Sequence, residues 1–553
     1  MYLRETTRKN RDGTKVTYYQ IAENEWDPLR GRAKPRILCN LGRADANNRD
    51  RLQRLARSIL RRCDPEQLAA EDEHVQHLDS WPHGALYVLE AMWDRLGIRG
   101  ILQRQAKAED REIPLERALF AMVANRCIKP ASKLGCWQRW LKDEIYFPDG
   151  VEIELHHLYR AMDFLERHQE PVEREVYFSV ADLLSLDVDL IFYDTTSVHF
   201  EIEEPDDETR EFHGQVQPPL RKRGHSKNRR TDVPQIVIGM AVTRDGLPVR
   251  SWVFPGNTAD RSTIQQVKSE LNEWKLSRCI FVSDAGTASE KNFKTLSAGG
   301  GKYIMCVPAK LGDEVTEEVL SKAGRYKPIA ENLQIKEVWI PKEGERRRRY
   351  VVCYNPEEAL RRRRKREDIL NALTAELEAL GRREEAHPSK ACDLMASPQY
   401  RPYLKTLKSG RLAIDRSRVK AEERFDGKWV VRSNDDSLSA EDIALGYKQL
   451  MTVENGWRDL KSLLDLRPVY HSSPHRIKAH VTICMLALLL QRAIERACGA
   501  TWSVVRHDLD RIKVAQLLTP DGEIIQRTPI NDESYKHLSH LKLEPPSELL
   551  TAK

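Results

Sequence analysis

Four residues late in the chain, Tyr447, Leu450, Glu454 and Lys461, stand at spacings that suit one face of a helix. Steps of three, four and seven residues return to a single stripe when each residue turns about 100°. The stretch Ser439–Leu466 reads as one long helix, opened by Ser439 and Asp442 in a capping-box pattern and free of proline until Pro468. Its stripe carries a carboxylate, with a phenol before it and an ammonium after it. A solvated surface helix would carry the same residue types, but a core-facing carboxylate needs a partner, and a metal ion is one candidate. Two other stretches favour that candidate. Asp194 ends the apolar run of DLIFYD, and Asp284 ends the apolar run RCIFVSD. In a sheet with parallel neighbours, strand ends on one side meet at one edge, where ligands bind. Three carboxylates in one pocket repel by about 4 kcal/mol per pair at about 4 Å and an effective dielectric of about 20. Such a pocket needs protons or cations. Hard oxygen ligands left partly open suit Mg²⁺ or Mn²⁺. Two such ions about 3.5–4 Å apart can activate a water or a 3′-hydroxyl and stabilise the leaving oxygen of a phosphodiester. Two nearby carboxylates compete for the role: Asp245 belongs to a tight turn, and Asp260, after PGNT, reads as the cap of the next helix.

The elements that must hold these residues alternate in a defined order. Strand patterns cover Asp189–Ser197, Pro234–Val242 and Leu247–Phe254, with short connections between them. A helix over Arg261–Trp274, a strand over Arg278–Asp284, a further helix and a strand over Lys302–Val307 follow. The first three strands should be antiparallel and the later two parallel to the first. Upstream, Tyr2–Lys9 and Lys15–Ile21 flank RDGT, a hairpin signal. A third strand over Pro35–Leu41 and a basic helix over Asn48–Cys63, with Leu52, Leu55, Ile59 and Leu60 on one side, complete a small module. Gly84–Leu184 is helical throughout. Between Pro308 and Asp436 the rhythm breaks: strand-like pieces at Leu333–Ile340, Arg349–Tyr354 and Lys428–Arg432 surround a charged helix over Glu357–Leu380. That segment is too long for a loop and reads as an inserted domain. The expected organisation is α/β, a mixed sheet flanked by helices. The boundaries are 1–65 for the basic module, 66–185 helical, 186–308 and 437–500 for the two parts of the core, 309–436 for the insertion and 501–553 for the tail. The basic module is a candidate DNA reader, and the tail is a candidate for dimerisation or DNA contact.

Composition narrows the partners. Of 553 residues, 31% are charged and 40% hydrophobic, enough for a folded core. The net charge is only +6, yet LRKRGHSKNRR (Leu220–Arg230), RRRR (Arg346–Arg349) and RRRRKR (Arg361–Arg366) concentrate positive charge, which points to a polyanion. Ten cysteines show no CxxC pair or zinc-like spacing and read as reduced thiols. The longest apolar run, Ile483–Leu490, is far too short for a membrane span, and the N-terminus carries no apolar signal segment. A soluble cytoplasmic protein with no membrane partner is expected.

These motifs together resemble the DDE transposases of the insertion-sequence-four superfamily. The late helix resembles their Tyr-(2)-Arg-(3)-Glu-(6)-Lys signature in Tyr447, Glu454 and Lys461, and departs from it at Leu450, where the family has Arg. DTT (Asp194–Thr196), GHSKNRRTDVPQ (Gly224–Gln235), PGNTAD (Pro255–Asp260) and VSDAG (Val282–Gly286) are also similar to that group, as is an insertion before the last acid. The resemblance covers about Asp189–Leu490, and the N-terminal module resembles that of longer members. It implies an RNase H-like core with Asp194, Asp284 and Glu454 as metal-holding catalytic acids and two Mg²⁺ or Mn²⁺ ions. It also implies a bacterial enzyme, present with the nucleoid, that binds double-stranded DNA at terminal inverted repeats and works as a homodimer on paired ends. Such an enzyme nicks with water and attacks with the freed 3′-hydroxyl, through a hairpin in some relatives and finally at the target. Tyr447, Lys461, Lys227, Arg229 and Arg230 become the expected DNA contacts, with Arg458 as the substitute for the missing arginine. Trp339 in the insertion is the candidate to stack on a flipped base.

Two readings from other classes remain beside this one: an RNase H-like nuclease without strand transfer, and a DNA-binding protein derived from a transposase. Three intact acids weigh against the second. A strand-transfer assay separates the first.

Overall fold

The computed structural model describes residues 1–553 except 11–13, 28–30, 64–74, 108–112, 185–188, 228–229, 275, 277–278, 309–313, 343–346, 382–387, 520–521 and 553. The chain forms two compact units, one of Met1–Ser80, Val514–Thr528 and Ser547–Lys553, the other of Trp81–Lys513 and Pro529–Pro546.

In the smaller unit, strands Tyr2–Lys9, Lys15–Asp27 and Arg32–Arg43 form an antiparallel sheet in that order. The hairpin expected around RDGT is present, with Lys9 opposite Lys15, although its turn residues lie outside the described ones. The helix runs Ala46–Cys63, and Leu55 and Ile59 of its apolar side are about half exposed. The tail is more ordered than its sequence pattern suggests. Strands Lys513–Thr519, Gly522–Arg527 and Leu549–Ala552 join Gln76–Pro82 in a second, four-stranded sheet. Of the tail helices, Trp502–Leu509 precedes these strands and Asp532–His540 falls between the last two, and both belong to the larger unit.

The larger unit is built on a nine-stranded sheet. Its strands are β1 (Leu190–His199), β2 (Gln235–Thr243), β3 (Pro248–Pro255), β4 (Ile280–Ser283), β5 (Lys302–Val307), β6 (Lys327–Ala330), β7 (Leu333–Ile340), β8 (Arg348–Tyr354) and β9 (Lys428–Ser433). In space they run β6-β7-β8-β9-β5-β4-β1-β2-β3. β1, β2 and β3 pair antiparallel, while β4 lies parallel to both β1 and β5. This 3-2-1-4-5 order with its change of direction at β1 is the RNase H-like arrangement. Short hairpin links force the antiparallel half, and helical crossovers force the parallel half.

Strands β6 to β9, from the stretch read as an inserted domain, extend the same sheet. The reason is edge pairing: β9 returns antiparallel beside β5 and covers its open edge. Among the described residues the insertion has small cores of its own, one around Val315, Val338, Tyr350 and Val430 against β7, β8 and β9, and one around Leu373, Leu394 and Leu404 beside the helix Pro356–Gly381. The helices of Gly84–Leu183 likewise share one hydrophobic core with the sheet. All of Trp81–Lys513 falls within the one larger unit.

Four helices matter for the site: α1 (Asp260–Glu273), α2 (Ala440–Lys448), α3 (Met451–Ser462) and α4 (Pro474–Cys498). Alternation along β1 sends Leu190 and Phe192 into the core beneath α2, α3 and α4, and Ile191 and Tyr193 into the core beneath α1. α4 is long and apolar enough to span a membrane, but 89% of its most apolar window is buried within the protein. The expected single helix over Ser439–Leu466 is in fact two. The capping box at Ser439 and Asp442 opens α2 as read. The run then breaks at Gln449 and Leu450, whose amide bonds tighten to three-residue spacing. At the break Leu450 is only 5% exposed and belongs to the same core as Val453 and Trp457.

Leu450→Arg therefore puts a charge without a partner into that core. It should lower unfolding stability by roughly 3 kcal/mol in a urea titration and bring no gain in DNA affinity. Unchanged stability with tighter DNA binding would show that this position faces DNA.

Candidate active site

The register of two parallel strands places the first two acids. β1 and β4 pair from Leu190 opposite Ile280 to Tyr193 opposite Ser283, and there the pairing stops. Asp194 and Asp284 are the next residue on each strand, side by side where the two strands part. Asp194 does not end its strand, contrary to the sequence pattern, because β1 continues to His199 along β2. What ends at Asp194 is the ladder to β4. Asp284 opens a short 3₁₀ turn over Ala285–Thr287 without capping it by its side chain, which leaves its carboxylate available.

The third acid comes from above. Val453, Trp457 and Leu460 are buried on one side of α3 and seat the helix on the sheet. Gly456 allows the approach: a Cβ there would lie 3.0 Å from Met240 Cε, and Met240 is the residue paired with Asp194 across β1 and β2. Glu454, in the first turn of α3, faces the negative charges of Asp194 and Asp284. Burial first, and then these two charges, raise its carboxyl above the usual carboxylate value. Burial also raises Asp194, opposed by Lys227 and the Thr195 amide and reinforced by Asp284 and Asp260.

Asp260 is the residue the sequence reading missed. It sits at the start of α1 on the other side of the sheet, and Ala259, not Asp260, is the N-cap. Its carboxylate accepts a hydrogen bond from Thr195 Oγ1 at 2.7 Å and lies 3.3 Å from Lys227 Nζ. The same ammonium is 3.7 Å from Asp194 and donates to the Thr195 carbonyl and hydroxyl at 2.5 and 2.9 Å. Lys227 thus joins a carboxylate from each side of the sheet around the end of the β1–β4 ladder. The cue was present in PGNTAD, but a helix-start pattern and a site residue look identical in sequence.

The other expected residues divide. Tyr447 donates to Asp284 at 2.9 Å, so the phenol orients an acid, and burial first, then Cys306 and Asp284, raise its own ionisation far out of range. Lys461 donates to Thr196 Oγ1, two residues beyond Asp194, and burial, with Arg467 and Lys227, pushes its ammonium down to about 8. Arg458 is exposed, donates to Asn455, and lines a groove with Asp245 and Asp459, away from the acids. Arg230 pairs with Glu201 and Asp232. Arg229 lies outside the described residues. Trp339 is half-buried on β7, with the guanidinium groups of Arg347 and Arg349 5.0 and 5.3 Å from its ring centre.

The donor set suits a hard divalent cation: carboxylate oxygens, two of them held above their usual ionisation, with an ammonium already bridging two of the acids. Among the described residues no three such side chains stand in a ready-formed cage, so a cation would have to draw the acids closer than they stand here.

Comparison with known proteins identifies the family. Residues 211–490 match the family described as transposase DDE domain, a span that includes Asp260, Asp284 and Glu454 and starts beyond Asp194. The chain belongs to the DDE transposases, enzymes that cut and join DNA with divalent metal ions. Residues 3–72 match the IS1634 family transposase, N-terminal domain, which makes it a transposase of an insertion-sequence family. No curated protein matches. Among solved structures the chain is similar to a piggyBac transposase synaptic complex with hairpin DNA, at 10% identity and TM-score 0.33 over 78% of this chain and 82% of that one. It is also similar to a Mos1 transposase paired-end complex with the left transposon end, at 13% identity and TM-score 0.15 over 32% of this chain and 59% of that one.

Two outcomes follow from the cations. Lys227→Met removes the charge between Asp194 and Asp260 and should cost about 1 kcal/mol of stability in chelator at neutral pH, most of it restored by a divalent cation. Melting identical to wild type in chelator would rule out the counterion role. Lys461 loses its proton as pH rises through about 8, so DNA affinity should fall about tenfold between pH 7 and pH 9. Lys461→Arg should flatten that profile; an equal fall in the arginine variant would place the titration elsewhere.

Proposed function

We propose that this chain is the cut-and-paste transposase of its own element, of the insertion-sequence-four type, with Asp194, Asp284 and Glu454 as the metal-holding catalytic acids. One observation carries the reading. The two aspartates are register neighbours just past the last β1–β4 pair, and Glu454 is seated over them by α3. Asp260 is the fourth carboxylate of the same pocket. The cofactor is Mg²⁺ or Mn²⁺, with room in the donor set for two ions. When bound, such ions activate a water or 3′-hydroxyl and stabilise the oxygen that leaves.

The chain's own residues supply positioning. Tyr447 holds the Asp284 carboxylate in one orientation through its hydroxyl. Lys227, beside Asp194 and Asp260, and Lys461, at Thr196, offer ammonium groups to phosphates next to the scissile bond. Contacts of this kind fix the register of a strand without reading its bases. Trp339, half-buried with two guanidinium groups over its ring, is the candidate to receive an unstacked base. The DNA partners are the terminal inverted repeats and a target duplex, and two chains pair the two ends. Action on chromosomal DNA places the enzyme in the bacterial cytoplasm.

Alanine at Asp194, Asp284 or Glu454 should lower both nicking and strand transfer by on the order of 10³-fold, about 4 kcal/mol in barrier, while end binding is nearly unchanged. A plasmid assay with the element's ends reads both steps. Metal-dependent cleavage by Glu454→Ala at the wild-type rate would end the assignment, and cleavage without joining by the wild type would make the chain a nuclease.

A further inference from the structure

A second cavity in the larger unit has no place in the acidic site. It encloses about 550 Å³ between the helical region and the loop that precedes α4. Its lining includes Arg126, Lys133 and Arg139, with Tyr159, Tyr470 and His471 beside them, and no carboxylate. Lys133 is 4% exposed and Arg126 3%.

Neither buried cation has a counter-charge among the described residues. Arg126 spends its terminal nitrogens on the carbonyls of Ala131, Leu464 and Asp465, and its Nε has no partner. Lys133 makes no ion pair or side-chain hydrogen bond there. Asp163, on the loop side, is already committed to His475 and Arg476, and Asp465 meets Arg126 through its backbone carbonyl. The buried His480, which also lines the cavity, bonds the Leu466 carbonyl through Nε2 and leaves Nδ1 unpartnered. Two buried cations side by side without a carboxylate are unfavourable unless an anion joins them. The alternative, a neutral amine, is within reach, because burial and Arg126 push the Lys133 ammonium down to about 7.

We propose that this cavity is a phosphate subsite, in which Lys133 and Arg126 meet the phosphate oxygens, Arg139 closes the outer side, and Tyr470 lies against the group that carries the phosphate. Tyr470 is 70% exposed, as an aromatic waiting for a sugar or base would be. The next residue, His471, lies on the inner side with its ring edge-on to Tyr159. The loop that brings Tyr470 and His471 leaves the Lys461 end of α3, so a DNA strand held by Lys461 has its continuation on this side. The DNA source of the phosphate rests on the proposed function; the phosphate chemistry does not.

Melting of the full chain with millimolar pyrophosphate, against sodium chloride at equal ionic strength, tests the site without cleavage. Wild type should gain about 2 °C or more. Lys133→Met should gain nothing, and Arg139→Ala, a change at an exposed position, should gain less than wild type. A salt titration of binding to a short unrelated duplex then separates the sources. Loss of about one unit of slope in Lys133→Met identifies a DNA phosphate, whereas loss of the pyrophosphate effect alone identifies a free phosphate compound. No shift in wild type, or an equal shift in wild type and both variants, overturns the proposal. Because neither readout uses the acids, a failed cleavage assay and a failed subsite are distinguishable.

Discussion

Mutual repulsion of carboxylates at the point where β1 and β4 part is the constraint on which the larger unit turns. A parallel ladder that stopped one residue later would tie Asp194 and Asp284 into the sheet. One that stopped earlier would separate them. The helices above and below the sheet are anchored so that two more acids reach the same place, Glu454 from α3 and Asp260 from α1. The core provides the anchoring: Val453, Trp457 and Leu460 on one side, Ile264, Val267 and Leu271 on the other. Burial energy of these side chains holds together charges that would otherwise spread.

In the absence of a divalent cation, Lys227 lowers that repulsion. It is 37% exposed, so it interacts with Asp194 and Asp260 while keeping access to water and to a DNA phosphate. The ammonium is also mobile in a way a buried arginine fork is not, and it can yield its place to a harder cation. The same economy is visible at Tyr447, whose hydroxyl satisfies Asp284 without adding charge.

Much of this was legible in the sequence. Apolar runs bounded by turns gave the five core strands, and their connections gave the directions, because hairpin links and helical crossovers admit few alternatives. The acids Asp194, Asp284 and Glu454 stood out because carboxylates at those positions conflict with a core. Three features did not show. The break at Leu450 depends on which side of a helix meets the core, and a leucine fits a continuous stripe equally well. Asp260 carries a helix-start pattern, which is also what a site residue at a helix N-terminus looks like. The merging of the insertion into the sheet depends on edge pairing between β5 and β9, whose first residues, Lys302 and Lys428, are 126 positions apart, and no local pattern records a partner so distant.

If residues from β1, β4 and α3 hold divalent metal at one site, the backbone at each of them lies next to it. Fe²⁺ substituted for the natural ion, with ascorbate and peroxide, cuts a polypeptide backbone next to the metal. Fragments are expected to end near Asp194, Asp284 and Glu454, all suppressed together by excess Mg²⁺. Cuts confined to other parts of the chain, or cuts at one of the three positions that Mg²⁺ does not suppress, would contradict a shared site.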